Sequence, residues 1–125
     1  MAYSRKPKYR NQRYEVNGCT FASVKEGKRY EQLLALQQDG QISDLQMQVK
    51  FELLPIQREP DTVGKRGGVR KGRMIERPVT YIADFVYKDH DGNTVVEDAK
   101  GFRTKEYRLK RKLCLWRLGI RIHEV

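Results

Sequence analysis

The sequence predicts a single α/β domain in which the element order αβββαβ builds a mixed sheet flanked by helices. Three observations carry this. Residues 45–53 alternate strictly, with Leu45, Met47, Val49, Phe51 and Leu53 on one face and Gln46, Gln48, Lys50 and Glu52 on the other. A period of two marks a strand with one buried face. Two β-rich runs, VTYIADFVY at 79–87 and TVVEDAK at 94–100, flank His90-Asp91-Gly92. That spacing suits a hairpin whose loop holds glycine in a left-handed position. Stretches with helical spacing and capping residues precede and follow these strands.

Taken in order, the chain begins with a flexible basic arm over 1–13, where Arg5, Lys6, Lys8, Arg10 and Arg13 stand with no acid before Glu15. The remainder, 14–125, is the folded domain. Ser23-Val24-Lys25-Glu26 reads as a capping box that opens a helix, and Asp39-Gly40 closes it. Tyr30, Leu33 and Leu34 make its apolar stripe. Pro55 ends the alternating strand, because proline cannot continue a ladder. Residues 56–77 read as a mobile basic loop, with Gly64, Gly67, Gly68 and Gly72 interleaved among Lys65, Arg66, Arg70, Lys71, Arg73 and Arg77. After the hairpin, Thr104 can cap a second helix over about 105–118 with Gly119 beyond its end, and 120–123 alternates as a short last strand. On the second helix, Leu109, Leu113 and Trp116 form one apolar stripe and Tyr107, Cys114 and Leu118 another.

Composition excludes several classes. A chain of 125 residues and 14.8 kDa holds one domain. The 26 Lys and Arg outnumber 16 Asp and Glu, a formal net charge of +10, which favours an anionic partner, nucleic acid above all. No stretch approaches the ~18 apolar residues of a membrane span, and no apolar segment follows the basic N-terminus as in a secretory signal. Cys19 and Cys114 are far apart with no CxxC, so zinc-finger and disulfide-scaffold readings fail. A soluble, cytoplasmic protein is expected. The two histidines, one at a hairpin tip, do not suffice for a histidine metal site.

The hairpin carries the chemistry. If His90 to Gly92 is its loop, Asp84 lies opposite Asp98 on one face, roughly 5 Å apart at Cβ, and Ile82 lies opposite Lys100. Opposed carboxylates weaken a sheet unless something positive sits between them, and a hard divalent cation with Lys100 beside it meets that need. A two-residue Asp91-Gly92 turn would shift the register by one and bring Glu97 to Asp84 instead. In the first register Glu97 points the other way and is expected to be solvated.

The pattern Asp84…Asp98-x-Lys100 within αβββαβ resembles the PD-(D/E)XK nuclease superfamily, and implies its restriction-endonuclease-like core. More narrowly, FASVKEGKRYEQL, LQMQVKFELLP, YIADFVY, VVEDAKGFRTKEYRLKRKL and GIRIHEV resemble a phage and prophage family of small proteins whose members are sometimes described as Holliday-junction resolvases or endonucleases. The resemblance runs from about residue 14 to the end. Ile82-Ala83 precedes Asp84 where the superfamily name advertises a proline. The resemblance implies metal ligands at Asp84 and Asp98, the active-site lysine at Lys100, and a helix-borne acid at Glu26, acting on the metal directly or through water. Ala99 would add a backbone carbonyl. The implied cofactor is Mg²⁺, with Mn²⁺ as a substitute, and the implied reaction is hydrolysis of DNA phosphodiester bonds, branched DNA being the expected substrate and a homodimer the expected assembly.

Other roles compete. Glu26 is also the N3 residue that a capping box requires. Gln48, on the polar face of its strand, and Tyr107, in the first turn of the second helix, are further site candidates. Lys65, Arg66, Arg70, Lys71 and Arg73, with Arg103, Lys105, Arg108, Lys110 and Lys112, are expected to contact phosphates. A nicking or sequence-specific phage endonuclease, and a nucleic-acid-binding module without catalysis, are the alternative functions.

Overall fold

Each helix starts on a hydroxyl, as the capping pattern predicts. In the computed structural model, which describes residues 13–125, Ser23 Oγ accepts the Glu26 N–H at the start of α1 (Val24–Gln38), and Thr104 Oγ1 accepts the Tyr107 N–H at the start of α2 (Lys105–Leu113). These bonds satisfy amide donors that the first turn leaves without partners. α1 ends at Asp39, with Gly40 at a left-handed φ of +76°. α2 continues into a wider π-helical turn, Cys114–Leu118, and stops at Gly119, whose φ of +68° a glycine adopts without a Cβ clash. The predicted basic arm lies outside the described residues, apart from the exposed Arg13.

The strands are β1 (Tyr14–Val16), β2 (Cys19–Phe21), β3 (Ser43–Leu54), β4 (Gln57–Arg58), β5 (Thr62–Val63), β6 (Val69–Arg70), β7 (Met74–Glu76), β8 (Val79–Lys88), β9 (Thr94–Asp98) and β10 (Ile122–Glu124). A four-stranded sheet has the order β10-β9-β8-β3, with β10 parallel to β9 and β8 joined to β9 by the tight hairpin. The protein is thus α/β with a mixed sheet, and its helices and sheet strands follow the predicted αβββαβ order.

The described residues divide into two compact units, to each of which β3 and β8 contribute. The first comprises 13–45 and 87–94. Here β1 and β2 pair across Asn17 and Gly18, both at positive φ, the conformation of a two-residue hairpin loop. Phe21, Tyr30, Leu33, Ile42 and Tyr87 are its buried apolar residues, and the Phe21 and Tyr30 rings meet at 5.0 Å. Gly27 sits beneath Tyr14: an added Cβ would lie 2.1 Å from the ring.

The second unit comprises 46–86 and 95–125. Its core is Leu53, Tyr81, Ala83, Val96, Tyr107, Cys114 and Ile122. Of the second helix's two stripes, Tyr107 and Cys114 are buried but Leu118 is exposed, and Leu113 packs against the core while Leu109 and Trp116 are exposed. Two expectations need correction. Residues 56–77 are not an irregular loop but a ribbon: β4 pairs with β7, β5 pairs with β6, and Gly64 to Gly68 closes the end. Glu97 is not solvated but 2% exposed, because β9 lies between two strands and buries Val96, Glu97 and Asp98 in succession, which means that both of its faces are covered.

Candidate active site

The β8–β9 loop sets the register. Asp89 N–H donates to Asn93 O at 2.9 Å, Gly92 N–H donates to Asp89 O at 3.0 Å, and Gly92 has a φ of +82°. This is the three-residue loop with glycine in the left-handed position, and Asp89 Oδ1 braces it by accepting the Asp91 and Asn93 amides. The two-residue turn is set aside, and with it the alternative that placed Glu97 at Asp84. Asp84 and Asp98 come near enough for the charge of one to bear on the ionisation of the other.

Their surroundings differ. Asp84 is half-buried; its Oδ2 accepts the Ala99 N–H at 2.9 Å and its Oδ1 the Gln48 side-chain amide at 3.4 Å. Gln48 thus joins the site, from a β3 position whose φ of +52° is uncommon for a residue with a side chain. Asp98 is 1% exposed. Its Oδ2 accepts the Tyr81 hydroxyl at 2.5 Å, while among the described residues its Oδ1 accepts no hydrogen bond. The Lys100 ammonium stands 3.5 Å from that orphaned oxygen.

Burial pushes the Asp98 carboxyl up to about 6, and the Asp84 charge adds to the rise, while the Tyr81 hydroxyl and Lys100 oppose it. Burial, and then the bond to Asp98, hold the Tyr81 hydroxyl well above the usual tyrosine range. It therefore stays protonated and remains a donor.

Behind Lys100 lies a second network. The Lys100 ammonium is 4.7 Å from the centroid of the Tyr107 ring, within reach of a cation–π attraction. Tyr107 donates its hydroxyl to Glu124 Oε1 at 3.1 Å, and burial followed by this bond raises its pKa. Arg111 meets the same oxygen at 2.7 Å, and Arg103 binds Glu124 Oε2. Held first by Arg111, Glu124 is depressed below its ordinary value. In the parallel β10–β9 register Glu124 is the partner of Asp98.

The structure thus brings together Asp84, Asp98, Lys100, Gln48, Tyr107 and the backbone of Ala99, whose amide donates to Asp84. Glu26 belongs to the first unit, where it is buried and its amide completes the Ser23 cap. Lys65, Arg66, Arg70, Lys71 and Arg73 are exposed on the ribbon. Lys105, Arg108 and Lys112 are exposed on α2, Lys110 pairs with Glu106 at 3.0 Å, and Arg103 is engaged by Glu124. A cleft of about 270 Å³ opens beside the site, lined by Lys100, Lys110, Tyr81, Tyr107, Thr80 and Thr104 among others.

Sequence reasoning missed Tyr81 and Glu124. Glu124 shares the face of Ile122 in an alternating strand, a signal that was available. Tyr81 alternates with Ala83 and Phe85 as an ordinary core residue, and nothing in the pattern marks its hydroxyl.

Do these residues fit a divalent cation? Among the described residues no group of three or more His, Cys, Asp or Glu is gathered into a metal cage. Two carboxylates are nevertheless present, one with an orphaned buried oxygen. A hard ion that keeps several waters, as Mg²⁺ does, is held by one or two carboxylates. The donor set fits such an ion.

The model of a family described as "Protein of unknown function (DUF1064)" matches residues 6–120. No curated protein and no solved structure matches the chain. Among the described residues, no helix is long and apolar enough to cross a membrane.

Proposed function

We propose that this chain, which belongs to the DUF1064 family, is a metal-dependent DNA endonuclease of the PD-(D/E)XK type. The observation that carries the reading is the buried Asp98 carboxyl, with one oxygen lacking a hydrogen-bond donor, an ammonium 3.5 Å away and a second carboxylate beside it. Asp84 and Asp98 would hold Mg²⁺, or Mn²⁺ in its place. When bound, such an ion polarises a phosphate and lowers the pKa of water.

The chain's own residues supply the rest. Tyr81 fixes one oxygen of Asp98, which leaves the other turned to Lys100. The Ala99 amide and Gln48 orient Asp84. Lys100, with its ammonium over the Tyr107 ring, presents a positive charge that stabilises the charge gathering on a phosphate under attack. The net charge of +10 and the exposed ribbon cations support a nucleic-acid substrate. The resolvase reading adds branched DNA and a homodimer, since paired incisions need two sites and a C₂ dimer supplies them.

Labelled linear, flap and four-way DNA, incubated with Mg²⁺ or Mn²⁺, tests this. Asp84→Asn, Asp98→Asn and Lys100→Ala should each abolish cleavage while binding persists. Full activity in any two would sink the assignment. Light scattering with and without junction DNA tests the dimer. A monomer that cuts linear duplex as fast as junctions points to a nicking endonuclease, and tight binding with no cleavage in Mn²⁺ to a binding module.

A further inference from the structure

The ribbon at 57–76 is braced without a core. Glu59 N–H donates to Arg73 O at 2.8 Å, Asp61 Oδ1 accepts the Gly72 N–H at 2.8 Å, and Arg58 reaches Gly72 O at 3.3 Å. Gly72 is obligatory there, because a Cβ would lie 1.6 Å from Glu59 O. At the tip, Gly64 N–H donates to Gly68 O and Gly67 N–H to Gly64 O, with Gly67 at a φ of +82°. A two-stranded ribbon is marginal by itself, and this one carries an apolar cross-strand pair at its far end. Val63 is paired with Val69, and the two are 73% and 69% exposed. From Thr62 to Arg73 the chain has five cations and no acid.

We infer that the ribbon is an arm that enters a groove of duplex DNA, with its cations on the phosphates and the Val63–Val69 pair against the bases at an unstacked step. The charge selects the partner: five cations without an acid suit a polyanion and repel a basic surface. The shape selects the groove, since a two-stranded ribbon fits one about 12 Å wide. The valines select the kind of DNA. An apolar pair pressed against the bases buries most surface where they are already unstacked, and unstacking is easiest where pairing is already broken. The arm therefore gives the protein its preference for mismatched or branched DNA. This rests on the DNA-substrate reading above and adds to it a surface remote in sequence from Asp84 and Asp98.

The test uses the full chain in EDTA, so that binding is read without cleavage. The probes are a fully paired duplex and the same duplex with one mismatch, each carrying 2-aminopurine at the site. Wild type should bind the mismatched duplex on the order of tenfold more tightly and raise the 2-aminopurine fluorescence. Val63→Ser with Val69→Ser, both exposed and without effect on charge, should lose the preference and the fluorescence rise and keep the salt dependence. Lys65→Ala with Arg66→Ala should keep the preference and lower the slope of log K against log salt by ~0.9 for each phosphate contact removed. An unchanged preference in the valine variant overturns the inference, as does binding of neither duplex, which would assign the arm to a protein partner. Binding as expected without any cleavage in Mn²⁺ would spare the arm and remove the nuclease. Cleavage with indifferent valines would do the reverse.

Discussion

Replacing Asp98 with asparagine should make the protein more stable at neutral pH. The carboxyl is buried and its pKa stands at about 6 against an ordinary 3.8. A group whose folded pKa is raised contributes stability that is fully present below the unfolded value and lost as pH rises through the folded one. For Asp98 that window runs from about pH 4 to pH 6. The rise corresponds to on the order of 3 kcal/mol of destabilisation at pH 7.5, and it already contains the opposing attractions of Tyr81 and Lys100. An asparagine oxygen can still accept the Tyr81 hydroxyl, and its amide can donate toward Asp84, so most of the 3 kcal/mol should be recovered. For a chain of this size that is roughly 10 °C in melting temperature.

Thermal melts of both proteins in EDTA at pH 7.5 and pH 5 check this. The gap should be large at pH 7.5 and about halved at pH 5, where the wild-type carboxyl takes up its proton. Added Mg²⁺ should raise the wild-type melting temperature and leave Asp98→Asn unmoved, because only a ligand of the folded state stabilises it. An Asp98→Asn protein that melts below wild type at pH 7.5, or a gap that ignores pH, would refute the reasoning.

Three further outcomes are expected. Glu26→Gln keeps a capping side chain and removes a charge, so melting should hold within about 0.5 kcal/mol while nuclease activity falls if the resemblance assigns Glu26 correctly; lost stability with full activity would make it a cap alone. Tyr107→Phe should lower stability by about 1 kcal/mol through the lost bond to Glu124 and leave cleavage within a few-fold, because the ring under Lys100 remains. Tyr107→Leu should cut activity more deeply, and equal activity in the two variants would dismiss the ring. Gly72→Ala should disrupt the ribbon and weaken DNA binding, with the thermal transition of the sheet retained; wild-type binding would show that the arm tolerates the Cβ or does not touch DNA.

Much of this architecture was legible because local rules coincide with global ones. Ser23 and Thr104 each cap the helix they were expected to cap, and Gly92 closes the expected three-residue loop. Two hairpins escaped notice although their signals were present. Asn17-Gly18 is a turn dipeptide, and Gly64 to Gly68 repeats the hydrogen bonding of Asp89 to Asn93, with Gly67 where Gly92 stands. In the second case the density of charge and glycine read as a mobile basic loop and concealed the turn. Of the candidate site, the nearness of Asp84, Asp98 and Lys100 followed from one of two open strand registers, and the roles proposed for them came only with the family resemblance. Tyr81 did not, since only the fold brings its hydroxyl to Asp98. Glu97 was misread because alternation reports which face a residue is on, not whether that face is covered.

Asp98 and Glu124 differ in how far the fold satisfies their carboxylates. They are partners in the parallel register of β9 and β10. Glu124 receives three donors, from Tyr107, Arg111 and Arg103, and is held charged. It is a satisfied anchor for the last strand. Asp98 is more deeply buried, receives one donor, and faces a second carboxylate. A buried ionisable group so poorly matched is usually less stable than an apolar residue of the same size. Stability therefore gives no reason for an acid at position 98, and the same chain shows at Glu124 how it satisfies an acid that serves stability. A positive charge brought to the orphaned oxygen would remove the mismatch at Asp98, and on the proposed reading a divalent cation would deliver that charge to Asp84 as well.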